Sequence, residues 1–123
     1  LEHVSFGDFT HQPAVELAER LIPMLPGEMS KVFYSDNGST AVETALKMAF
    51  QYWHNQHSLR TKVICFRNSY HGDTFGAMSA AGKNAFNQPF WKYLFDVETI
   101  DIPRPGCEEI SLFQLEKILD QGN

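Results

Sequence analysis

Only two cysteines occur in the 123 residues, and their settings exclude the usual work of cysteine clusters. Cys65 lies inside the apolar run KVICF and Cys107 follows Pro-Gly, a spacing that fits neither zinc ligation nor a disulfide framework. Metal-ligand patterns are missing as well. His3, His11, His54 and His57 have no Cys or carboxylate at ligand spacing, so no metal is predicted. The ten Lys and Arg form no basic stripe and the net charge is −5, which argues against a nucleic-acid partner. No apolar run reaches the roughly 18 residues of a membrane span, and the first residues lack a signal-peptide pattern. The expectation is a soluble, cytoplasmic protein with no membrane partner. Repeats, low-complexity tracts and linkers are absent too, so one domain piece is the simple reading. The chain opens on Leu1 and stops at Gly122-Asn123 just past an amphipathic stretch, so it reads as a fragment of something longer.

What is present suffices for one modest core, at 43% hydrophobic residues. PAVELAERLI (13–22) places proline in a first turn and Ala14, Leu17, Ala18 and Leu21 on one face, which predicts a short helix ended by Pro23 and Pro26. KVFYS (31–35) and KVICF (62–66) read as strands. Between them Thr40 and Glu43 fit a capping box, and Val42, Ala45, Leu46, Ala49 and Trp53 recur at helical spacing. Strand, helix, strand is a βαβ unit, so 31–35 and 62–66 are predicted to be parallel neighbours. VETIDIP (97–103) supplies a third strand and LFQLEKILDQG (112–122) a following helix. The class is α/β.

The stretch SDNGSTAVETALKMA (35–49) runs from small polar residues straight into the long helix. In a parallel α/β sheet, ligands sit beyond the carboxyl ends of strands, where the next helix presents unpaired amides and the positive end of its dipole. Gly38 lets backbone approach an anion, while Ser39 and Thr40 add hydroxyls, so a phosphate is the natural occupant. The alternative is a plain Asn-Gly turn with Thr40 as N-cap. Neither the Lys-bearing P-loop nor G-x-G-x-x-G matches the spacing. NSYHGDTFGAMS (68–79) opens on the same sheet edge, where Tyr70 offers a ring for a planar ligand and Gly72 and Gly76 let the loop fold closely around it. A loop with a partly buried Tyr and a bonded His is the bland reading.

FYSDNGSTAVETALKMAFQYW, NSYHGDTFGAMS and LEHVSFGDFTHQPAVELAERL together resemble the class III, fold type I aminotransferases that use pyridoxal 5′-phosphate (PLP), over residues 1 to about 105. Y-H-G-D-T-F-G resembles the branch that serves biotin biosynthesis. The resemblance implies a mainly parallel sheet in a PLP-binding large domain, of which 1–123 is a part. It assigns the PLP phosphate to Gly38 and Ser39, with Thr40 as neighbour and cap. Tyr70 stacks on the pyridine ring and borders substrate, His71 and Gly72 shape the loop, and Asp73 sets substrate or donor preference. In that branch an amino group passes from S-adenosylmethionine to 8-amino-7-oxononanoate, giving 7,8-diaminononanoate by a ping-pong scheme through pyridoxamine phosphate. Family members are homodimers.

The family's catalytic lysine and the aspartate that pairs with the pyridinium nitrogen belong to later segments. None of Lys31, Lys47, Lys62, Lys83, Lys92 and Lys117 stands in the right context, so no catalytic residue is assigned here and this piece alone is expected to be inactive. The initial segment and the small C-terminal domain are also expected elsewhere. Glu43 reads as a capping carboxylate, Glu108, Glu109 and Glu116 as a solvated face, and Trp53, Phe90 and Trp91 as core. Two other readings remain open: a class III aminotransferase acting on ornithine, 4-aminobutyrate or an ω-amino acid, and a non-catalytic phosphate-binding module.

Overall fold

The computed structural model describes residue 7 and residues 9–121, so His3, most of the LEHVSFGD stretch and the last two residues lie outside the described part. Two compact units divide at Tyr34 and Ser35. The first carries helix α1 (Gln12–Leu21), continued by a 3-10 turn, Ile22–Met24. His11 begins α1 from an extended backbone, its Nδ1 accepting from the Ala14 amide at 3.3 Å, and Pro13 sits in the first turn as expected. Ala14 is buried, and its carbonyl accepts from the Tyr34 hydroxyl at 2.6 Å. The strand expected at 31–35 is not formed among the described residues. A strand exists only through its ladder, and residues 31–34 fall in a unit with no described strand to pair with.

The second unit contains α2 (Gly38–Asn55), β1 (Ile64–Phe66), α3 (Phe75–Ala80), a 3-10 segment (Gln88–Tyr93), β2 (Glu98–Ile100) and α4 (Glu108–Asp120). The parallel partner of β1 is β2, not 31–35, with Ile64 opposite Glu98, Cys65 opposite Thr99 and Phe66 opposite Ile100. Parallel strands require a long crossover, which here carries α3 and the 3-10 segment. The α/β class expected from the sequence is the observed one.

Burial centres on α3, which falls inside a stretch that reads as loop in the sequence. Its sequence FGAMSA has small residues at most positions, so its backbone packs close to its neighbours and every residue from Gly76 to Ala80 is buried. Ser79, at 2% exposure, satisfies itself by donating to Phe75 O at 2.6 Å and accepting from Phe95 N at 3.1 Å. Cys65 is buried and Cys107 exposed, and both are free. α4 begins four residues before the expected start, with Glu108 and Glu109 in its first turn, where the helix dipole favours acidic groups. It is tied to β2 by a two-point grip: Gln114 Nε2 donates to Asp101 Oδ2 at 2.9 Å, and Gln114 Oε1 accepts from Asp101 N at 2.7 Å.

Candidate functional site

The mouth of α2 is built three residues earlier than the capping pattern suggests. Asn37, not Thr40, is the N-cap, because its backbone is extended (φ −161°, ψ 175°) while Gly38 already starts the helix. Asn37 Oδ1 accepts from Thr40 N at 3.0 Å and Thr40 Oγ1 accepts from Asn37 N at 3.2 Å, closing the box. The Thr40 hydroxyl also meets Asn37 O at 3.0 Å and the Ser35 hydroxyl, so this residue works as cap. The amides of Gly38 and Ser39 are left unpaired among the described residues.

Ser39 joins this mouth to the loop after β1. Its Oγ accepts from Asp73 N at 3.2 Å, which leaves its own proton for donation to an anion. Gly72 is buried against it: φ is +121°, and a Cβ there would lie 2.1 Å from Ser39 Oγ and 2.7 Å from Ser39 Cα. A Cβ at Gly76 would lie 2.3 Å from Glu43 Oε2. Both glycines therefore let the chain close onto α2, whereas the sequence suggested closure around a ligand. Gly38 is the reverse case, since beyond its chain neighbours and its own helix backbone nothing lies within 4 Å of its Cβ position. That open space, two free amides and a spare hydroxyl proton suit a phosphate at the start of an 18-residue helix.

Tyr70 presents an exposed ring and donates to Asp73 Oδ2 at 2.7 Å. The hydrogen bond to Asp73, then desolvation and the carboxylate's charge, hold the Tyr70 phenol above the ordinary tyrosine value. Beside this pair lies a cavity of about 800 Å³ walled by Phe75, Met78, Phe86 and Phe90, with Asn84 and Asn87 as polar points. Phe90 is thus cavity wall, 41% exposed, where core was expected. Trp91 is 40% exposed and donates from Nε1 to Asn87 Oδ1 at 2.8 Å. Trp53 is half-buried under the Arg60 guanidinium, 3.9 Å from its ring centroid.

Of the residues singled out in the sequence, the structure brings Ser39, Tyr70, Gly72 and Asp73 together through contacts. Gly38 borders Ser39 at the helix start, and Thr40 faces the cap. His71 is exposed and takes no part in these bonds. Sequence reasoning missed Asn37 as the cap, although an Asn before a glycine and a helical pattern signals it, and missed Asn84 and Asn87, which carry no recognisable pattern. Among the described residues no three His, Cys, Asp or Glu gather as metal ligands, and no helix is long and apolar enough to cross a membrane.

Comparison with known proteins gives this geometry a family. The family model described as aminotransferase class-III matches residues 1–118. An adenosylmethionine-8-amino-7-oxononanoate aminotransferase of Synechococcus elongatus is 55% identical over 103 residues, covering 84% of this chain and 24% of the relative. One of the same name from Geobacter sulfurreducens is 47% identical over 108 residues, covering 87% and 23%. The chain thus spans about a quarter of the length of these curated relatives. Among solved structures, the enzyme of that name from Methanocaldococcus jannaschii superposes with a TM-score of 0.82 at 37% identity, over 94% of this chain and 27% of that one. An omega transaminase from Pseudomonas jessenii in complex with PMP gives 0.84 at 29% identity, over 98% and 29%. The chain belongs to the class III aminotransferases and has their fold type I α/β architecture.

Proposed function

We propose that residues 1–123 are part of the PLP-binding large domain of an aminotransferase that moves an amino group from S-adenosylmethionine to 8-amino-7-oxononanoate. The observation that carries the reading is the junction at Ser39, where an open helix mouth meets the loop bearing Tyr70 and Asp73. When bound, PLP supplies an electron sink for loss of the donor's proton and a carrier for the amino group.

The chain's own residues bind and orient. The Gly38 and Ser39 amides and the Ser39 hydroxyl hold the phosphate, with Thr40 keeping the mouth open as part of the cap. Tyr70 offers its ring face to the cofactor, its hydroxyl fixed by Asp73. His71 and Gly72 set the path of that loop, and Asp73 contributes to the choice of donor or substrate. The aromatic cavity beside this pair suits a substrate that is mostly alkyl chain with polar ends, as 8-amino-7-oxononanoate is. The intact enzyme is a cytoplasmic homodimer on this reading.

The test is single-turnover absorbance of the intact protein loaded with PLP, with S-adenosylmethionine, lysine, glutamate or ornithine added separately. A change in cofactor absorption with S-adenosylmethionine supports the assignment. A response only to another donor moves it to a sister class III enzyme. Light scattering that finds an active monomer would contradict the dimer.

A further inference from the structure

Glu43 links helix α2 to the start of helix α3. It sits on α2 one helical turn after Ser39, and its Oε2 accepts from Thr74 Oγ1 at 2.7 Å and from Ala77 N at 3.1 Å. The carboxylate therefore caps α3, a helix whose own N-cap Thr74 makes no side-chain cap bond. Ser39 and Glu43 on α2 face Gly72 and Gly76, so two residues four apart meet two glycines four apart. Thr74 lies between those glycines, and its hydroxyl also reaches Ser39 O at 3.5 Å. Glu43 is only partly exposed, and both of its bonds fall on one oxygen.

We infer that Glu43 is a positioning residue, which sets the distance between the phosphate-binding mouth of α2 and the Tyr70–Thr74 loop by holding α3 and Thr74 against its own helix. It touches neither cofactor nor substrate on this account; it acts through Ser39, Thr74 and the α3 amide. The inference rests on the proposed cofactor site. Its requirement is an acceptor oxygen at one point rather than a negative charge, so glutamine substitutes and alanine does not.

The experiment compares Glu43→Ala, Glu43→Gln and Thr74→Val in the intact protein. PLP is titrated by its absorption and induced circular dichroism, and amide hydrogen exchange at Ala77 is followed in the cofactor-free protein. Glu43→Ala is expected to speed Ala77 exchange, weaken PLP binding by about ten-fold and diminish the dichroism, with Glu43→Gln restoring all three. Thr74→Val, which keeps volume and loses the hydroxyl, should weaken PLP binding by about three-fold, and it carries the test if the alanine variant does not fold. Faster Ala77 exchange with unchanged PLP affinity and dichroism would overturn the inference while leaving the phosphate site intact. Full PLP content in Gly38→Val would instead overturn the reading beneath it.

Discussion

Replacing Gly72 by alanine should cost more than a single methyl group ordinarily does. The new Cβ would lie 2.1 Å from Ser39 Oγ, 2.6 Å from its Cβ and 2.7 Å from its Cα. The hydroxyl can rotate away, but the Cα belongs to the second turn-forming residue of α2 and cannot move alone. The backbone adds a second cost, because φ of +121° lies outside the region that L side chains adopt. Strain of this kind is worth about 1–3 kcal/mol and overpacking a similar amount, so about 2–6 kcal/mol is expected together. That is a large share of the roughly 5–15 kcal/mol that holds a typical domain. The assay is urea denaturation of the intact, cofactor-free protein, run as a cycle with Ser39→Gly. Removing the Ser39 side chain relieves two of the three overlaps, so Gly72→Ala should cost at least ~1 kcal/mol less in that background. A change within about 0.5 kcal/mol for Gly72→Ala alone, the size of an ordinary surface substitution, would refute the reasoning.

Gly38→Val should leave stability nearly unchanged, since nothing lies within 4 Å of its Cβ position, but the purified protein should lose its PLP; undiminished cofactor would sink the phosphate assignment. Asp73→Ala, which removes both the acceptor and the charge, should bring the Tyr70 phenol back toward its ordinary value, read as an alkaline difference spectrum against Tyr70→Phe. The sign follows from the raised value: the hydrogen bond's contribution is present below the ordinary tyrosine range and is lost as pH rises through the raised value in the folded protein. An unshifted spectrum would remove Asp73 as the cause. Asn87→Ala should cost about 1–3 kcal/mol by thermal or urea unfolding, because the buried amide serves Asn84 N, Gly82 O and the Trp91 indole at 2.8–2.9 Å; a silent substitution would show these bonds to be replaceable.

Periodicity and local chemistry made α1, α2 and the 62–66 strand visible, because each carries its own signal within a few residues. The loop-to-helix contact was visible only in outline. Gly72 and Gly76 stood out as permissive positions, but what they approach is decided 33 residues away by Ser39 and Glu43, and one chain displays no trace of that pairing. Competition misplaced the cap: Asn37 and Thr40 can both begin a helix, and once Asn37 does so, Glu43 is free to serve α3. FGAMSA was hidden for another reason. A short helix whose residues after Phe75 are all buried and mostly small has no polar face to alternate with, so no period appears. The error at 31–35 was one of partner, since strand-like composition does not say which ladder will accept it.

The grip of Gln114 on Asp101 bears on where this chain can change length. A slip of one residue along α4 would swing Gln114 by about 100° around the helix axis and break both bonds at once. Added or deleted residues between β2 and α4 must then be taken up by the connecting loop, with the helix register kept. Around Gly106 that loop has room, as nothing beyond its chain neighbours lies within 4 Å of its Cβ position. Length variation among relatives, and any inserted tag or label, should therefore gather there and spare the helix that follows.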